Sequence, residues 1–237
     1  MKNVSNINQS INFKNIIGVA KYSFKTLRIM YLIEVVLLVL ALGSSTFISR
    51  FTMGLDLIPT ISILLTMNFI SHIIIFSMQL SKEYGKLLFL TPVTGIEFIA
   101  GNFLELILVN IFSIILVNIS AIVNSGGASK IISICFGIFI GTITAYLIIT
   151  ALIAILSTYI RSTALCVLAV IIASMLCDTI YSFISKIILY FLPYFYLTIG
   201  NSNSIEIDIF EVILGCIALV ILQLVAANKI DKKLDII

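Results

Sequence analysis

The sequence predicts a polytopic α-helical membrane protein, and three observations carry that reading. The first is composition. Of 237 residues, 61% are hydrophobic and 11% charged, whereas a soluble domain has roughly 45–50% apolar and about 25% charged residues. A surface facing water needs far more charge than this, and the mean hydropathy of +1.22 agrees. The second is length. The apolar runs reach about 20 residues, enough to cross a hydrocarbon core of roughly 30 Å as helices. The third is pattern. Lipid cannot satisfy backbone polar groups, so only helices and closed barrels span it. These runs are continuous rather than alternating, which removes the barrel. The expected fold is all-α: six transmembrane helices, an N-terminal amphipathic helix lying in the interface, and a re-entrant stretch before the last helix.

Residues 1–28 read as a cytoplasmic tail and interfacial helix. Met1–Gln9 is polar. In Asn12–Arg28, Phe13, Ile16, Ile17, Ala20, Phe24 and Leu27 recur at helical spacing, while Lys14, Lys21, Lys25 and Arg28 fall mainly off that stripe. A basic helix with aromatics on its apolar face suits the headgroup boundary. Leu42-Gly43-Ser44 resembles a cleavage site. The apolar run before it is longer than a signal-peptide core of about 7–15 residues, so it is expected to stay as an anchor.

Residues 29–228 read as the membrane domain. The expected spans are Ile29–Phe47, Ile58–Gln79, Phe98–Val123, Ile131–Ser157, Ala164–Ile180 and Ile209–Ala227. Ile187–Ile199 is apolar but short and carries Pro193 among clustered Tyr and Phe. A run of about 10–14 apolar residues suits a re-entrant or interfacial segment, and such rings sit at headgroup level. Residues 229–237 form a cytoplasmic tail.

Charge sets the orientation. With six spans and the N-terminus inside, the inside segments carry Lys2, Lys14, Lys21, Lys25, Arg28, Lys82, Lys86, Arg161, Lys229, Lys232 and Lys233. The outside segments carry only Arg50, Lys130 and Lys186. An excess of Lys and Arg marks the cytoplasmic side, so both termini are expected there. Asn124–Ser129 and Asn201–Ser204 become external turns. A seventh span through Pro193 would carry Lys229, Lys232 and Lys233 outside, against the rule.

The chemistry that is missing narrows function. Gly85-Lys86 is followed by leucine, so there is no phosphate loop. One histidine, His72, cannot make a His-Glu-x-x-His zinc site, and no Gly-x-Ser-x-Gly elbow occurs. Cys135, Cys166, Cys177 and Cys216 lie in apolar runs without metal-ligand spacing and read as small apolar residues. The net charge of +3 is no nucleic-acid signal. No enzymatic activity, cofactor or metal is expected of the chain itself.

Four ionisable residues fall inside expected spans: Glu34, His72, Glu105 and Asp178. Such groups are costly in lipid and usually face a bundle interior, a partner or a water-filled path. Glu34 lies about one turn from the inner interface and can snorkel. His72 can hydrogen-bond a neighbouring helix. Glu105, two turns into its span, is the strongest polar-contact candidate, and Asp178 lies near the outer end of its span. A proton relay would need them within reach of one another.

The stretch Ser81–Gly95 is a charged island between two apolar runs. Lys82, Glu83 and Lys86 would form a cytoplasmic knob. Pro92 breaks the helix, because its ring clashes one turn back and its nitrogen cannot donate. Thr94-Gly95 completes the bend, and Glu97 suits the first turn of the next helix. The bland reading is a helical hairpin; the sharp one is a rigid docking element for a cytoplasmic partner.

Glu83-x-Gly85, then Leu88-x-Leu90-Thr91-Pro92-Val93, then Gly101 at the start of the third span resemble the permease subunit of type-2 ABC exporters. Asn102 stands where that family usually has lysine. The basic N-terminal helix, six spans, Pro-containing stretch and inside termini are similar too. The resemblance implies a bacterial cell-membrane permease that pairs with a second permease chain, identical or not. It also implies separate cytoplasmic ABC ATPase subunits that bind the ATP and dock on a coupling loop of Lys82, Glu83, Gly85, Lys86, Thr91, Pro92 and Gly95. The implied cargo is an antimicrobial peptide, drug or lipid-like molecule. Two other classes stay open: a substrate-capturing membrane subunit of an uptake system, and a non-transporting scaffold.

Overall fold

The computed structural model describes residues 11–52, 57–80, 93–125, 128–160, 163–192, 195–199 and 205–234. Six helices account for most of them: α1 (Phe13–Thr52), α2 (Leu57–Gln79), α3 (Gly95–Ser125), α4 (Ala128–Leu156), α5 (Thr163–Phe191) and α6 (Ile209–Leu234). Among the described residues, four helical segments are long and apolar enough to cross a membrane: Gly95–Ile115, Gly137–Leu156, Leu165–Phe191 and Ile209–Lys232. Leu65–Gln79 is a shorter apolar helical segment. The protein is therefore helical and of membrane type.

Three boundaries differ from the sequence reading. The interfacial helix and the first span are one uninterrupted helix, α1, of 40 residues. No glycine or proline falls between Val19 and Leu42, so nothing in the backbone chemistry breaks it where the charge pattern changes. Val19, Ala20, Ser23 and Leu27 point inward, and Phe13 and Phe24 outward. The second difference is α5, which runs past Ile180 to Phe191 because no breaker precedes Pro193.

The third follows from it. Within Ile187–Ile199, the first residues end α5 and Tyr196–Ile199 form strand β1. This strand pairs antiparallel with β2 (Ile205–Asp208), with Tyr196 opposite Asp208 and Ile199 opposite Ile205. The all-helical expectation thus gains one short hairpin. Residues 200–204, read as an external turn, lie outside the described residues, as do 126–127 of the other expected turn.

Helix starts are capped as physical chemistry requires. Asn12 Oδ1 accepts the Lys14 amide at 3.0 Å, and Asp208 Oδ1 accepts that of Phe210 at 3.0 Å, each satisfying a donor the first turn leaves orphaned. Thr94 and Glu97 form a capping box on α3. Thr94 Oγ1 accepts the Glu97 amide at 3.3 Å, and Glu97 Oε2 accepts the Thr94 amide at 3.0 Å.

The chain divides into two units, residues 1–146 and 147–237. In the first, α1, α2 and α3 pack together, with Leu27, Tyr31 and Ile75 in a buried cluster flanked by Met30 and Val109. Phe76 and Phe98 are both fully buried and stack with ring centroids 5.3 Å apart. Gly101 lets α1 and α3 approach. A Cβ there would meet Val19 Cβ at 2.6 Å and the Ile16 carbonyl oxygen at 2.8 Å. In the second unit, Gln223 Nε2 donates to the Leu147 carbonyl at 2.7 Å, and the Tyr181 hydroxyl to that of Glu211 at 3.1 Å. Lys229 Nζ donates to the Tyr159 hydroxyl and lies 4.7 Å from the centre of that ring.

Candidate functional site

The first unit holds a column of polar side chains inside apolar helices, and helical periodicity puts them there. On α1, Ser23, Tyr31 and Glu34 stand at relative positions 0, 8 and 11. On α2, Asn68, His72 and Gln79 stand at 0, 4 and 11. On α3, Asn102, Glu105 and Asn110 stand at 0, 3 and 8. Each set lies on one face of its helix. All nine residues are buried. Where three such faces meet without water, polar groups must satisfy one another.

The column has four levels. At the first, Glu97 joins the start of α3 to the start of α1: its oxygens accept from the Asn12 amide at 2.7 Å and from Asn15 Nδ2 at 2.9 Å. At the second, Gln79 Nε2 donates to Ser23 Oγ at 2.9 Å, Ser23 Oγ donates to Asn102 Oδ1 at 2.8 Å, and Asn102 Nδ2 donates to the Phe98 carbonyl at 3.1 Å. At the third, the Tyr31 hydroxyl donates to Glu105 Oε1 and lies 3.0 Å from His72 Nε2, which is itself 2.6 Å from Glu105 Oε2. At the fourth, Asn68 Nδ2 meets Asn110 Oδ1 at 3.3 Å. The fully buried Tyr146 ring meets His72 edge-on, with centroids 6.4 Å apart.

The third level fixes a proton count. His72 Nδ1 lies 2.7 Å from the Asn68 carbonyl, which can only accept, so Nδ1 carries hydrogen. In a neutral ring Nε2 is then bare. Two lone pairs cannot face each other at 2.6 Å, so one proton lies between Nε2 and Glu105 Oε2. It belongs either to a carboxylic acid donating to imidazole or to an imidazolium donating to carboxylate. In both cases the pair carries no net charge.

Beside this level, α1 and α3 enclose a cleft of about 630 Å³. Its walls are apolar, with Phe24 and Val35 from α1 and Leu108 and Phe112 from α3. Tyr31, Glu34 and Glu105 line it too, and the exposed Lys21 lies toward the N-terminal end of α1. Glu34 is only 5% exposed, and its Oε1 has no hydrogen-bond partner. It lines the cleft.

Of the sequence candidates, His72 and Glu105 are in contact, and Glu34 shares their cleft. Asp178 lies in the other unit, exposed on α5. Gly95 is buried as the first residue of α3. Lys82, Glu83, Gly85, Lys86, Thr91 and Pro92 lie outside the described residues. Sequence reasoning missed Ser23, Tyr31, Asn68, Gln79, Asn110 and Tyr146, and met Asn102 only as a departure from a motif. The periodic spacing of polar residues within the apolar runs was the signal that could have found most of them. Among the described residues, no group of three His, Cys, Asp or Glu side chains is placed to hold a metal. No family model, curated protein or solved structure matches the chain.

Proposed function

We propose that this chain is the membrane-spanning permease subunit of an ATP-binding cassette exporter. It crosses the bacterial cell membrane six times with both termini cytoplasmic, and pairs with a second permease chain. Separate ATPase subunits supply the energy, and rigid-body rocking opens the path alternately to each side. The observation that carries this reading is the fastening of the start of α3 to the start of α1. Glu97 holds Asn12 and Asn15, Val19 packs on Gly101, and Ser23 donates to Asn102. The Ser81–Gly95 island runs directly into that joint, so a push on the island reaches both helices and the polar column together. The topology is supported in the second unit as well. Tyr159 and Lys229, both assigned to the cytoplasmic side by the Lys/Arg distribution, touch; so do Tyr181 and Glu211, near the external ends of their helices.

The test is copurification of a nucleotide-binding subunit with the full chain from native membranes. Glu83→Ala and Gly85→Pro are expected to keep normal membrane abundance and lower ATPase association about tenfold, the effect of losing roughly 1.5 kcal/mol of charge-assisted contact. His72→Ala should leave docking intact. Wild-type chain that purifies with no ATPase, or variants that bind it equally well, overturn the proposal. The Glu34-lined cleft favours one second reading, a substrate-capturing subunit of an uptake system; the direction of substrate movement in vesicles separates the two.

A further inference from the structure

Glu34 poses a physical problem. Glu34 is a buried residue, one carboxyl oxygen is buried without a partner, and it lines a cleft whose walls are largely Phe and aliphatic side chains. An unpaired buried acid is costly, and such positions persist where a ligand or partner completes them. The neighbouring charges do not complete this one. Glu105 is already engaged by Tyr31 and His72, and the shared proton leaves that pair neutral. Among the described residues, Lys21 is the one basic residue lining the cleft. It stands 13 positions before Glu34 on the same helix, about 20 Å along the axis at 1.5 Å per residue, too far to pair with it.

The cleft therefore offers one uncompensated acid group inside an apolar, ligand-sized space; pockets for small molecules run about 300–1,000 Å³. We propose that the α1–α3 cleft binds a lipophilic organic cation, with the Glu34 carboxylate as its counter-ion. Phe24 and Phe112 add aromatic faces, which attract cations through the ring quadrupole. Lys21 repels a cation from the cytoplasmic end, so the ligand enters from the lipid side. As a cargo site the cleft rests on the transport reading; as a binding site it needs no partner.

The test uses the purified full chain in nanodiscs, with radiolabelled tetraphenylphosphonium as the probe and empty nanodiscs subtracted. Tetraphenylborate, of matched size and opposite charge, is the comparison. The expected result is saturable binding of the cation and none of the anion. Glu34→Gln should weaken cation binding tenfold or more, Glu34→Asp should retain it, and Leu108→Trp should block it by filling the cleft. If Glu34→Gln fails to fold, the cation–anion contrast on wild-type chain and the Leu108→Trp variant still decide. Equal binding of both ions, affinity unchanged in a folded Glu34→Gln, or no saturable binding (a cleft filled by lipid alone) overturns the proposal. Because no ATPase is present, a negative result here leaves the copurification test untouched, and the reverse also holds.

Discussion

His72 Nε2 lies 2.6 Å from Glu105 Oε2, though the two residues come from different helices and only one proton can separate them. Glu105 is engaged by His72 and Tyr31, and the Nε2 side of His72 by Glu105 and Tyr31. Replacing either alone leaves a buried polar group stranded, so the two substitutions should not add. A double-mutant cycle of His72→Ala and Glu105→Ala, read by unfolding in detergent, is expected to give a coupling of at least about 1 kcal/mol. That exceeds the ~0.6 kcal/mol average for interhelical hydrogen bonds in a membrane protein. Additive effects would mean that the contact contributes nothing.

Gly101 should not tolerate a methyl group. The Cβ of Gly101→Ala would overlap Val19 and a backbone carbonyl that cannot swing aside. Overpacking of this kind costs about 1–3 kcal/mol. Gly137 and Gly141, on α4, have no atom within 4 Å of an added Cβ. Alanine there should be neutral or slightly stabilising, since it favours helix over glycine. Detergent unfolding midpoints of the three variants check the contrast.

Glu97→Ala removes the acceptor that ties Asn12 and Asn15 to the first turn of α3. Charge-assisted bonds contribute roughly 1.5–3 kcal/mol, so local opening of the α1 start should become about ten- to a hundredfold more frequent. Hydrogen exchange over residues 12–20 should quicken by that factor, while exchange around Tyr31 and His72 stays slow. Uniform quickening would show that the joint is not local.

The Tyr159 phenol is held below its ordinary value of 10.0, first by the hydrogen bond from Lys229 and then by that lysine's charge. With the folded value below the unfolded one, the pH-dependent part of the contact's stabilisation vanishes at low pH, where both states are protonated. It gains strength as pH rises through the lowered value toward the ordinary one. Ultraviolet titration should show the Tyr159 phenolate forming early. Lys229→Met should return it to the ordinary range, and an unchanged titration curve would dismiss the contact.

Helix type was readable because apolar length is a one-dimensional property, so the runs around α2, α3, α4 and α6 appear directly in the sequence. Boundaries were less so. The Arg28–Ile29 change of composition looked like an element break, but composition does not bend a helix, and α1 continues through it. The end of Ala164–Ile180 was likewise set too early, because α5 continues to Phe191. In the site, Glu105 and His72 stood out as isolated ionisable residues. Their partnership did not, because which faces meet depends on packing between residues 33 positions apart (72 and 105). Tyr31 and Ser23 looked ordinary for the same reason: each matters only through a partner on another helix.

The long-range character of these bonds has a consequence for biosynthesis. Tyr31 finds Glu105 across 74 residues, and Asn12 finds Glu97 across 85. At a synthesis rate of about 5–20 residues per second, α1 waits about 4–15 s for the third level of its column to emerge. During that interval Tyr31 and Ser23 stand on a helix whose polar face has no neighbour. The nascent chain therefore passes through a stage at which the polar face of α1 has none of its later partners, and that face is completed only when α3 has been made.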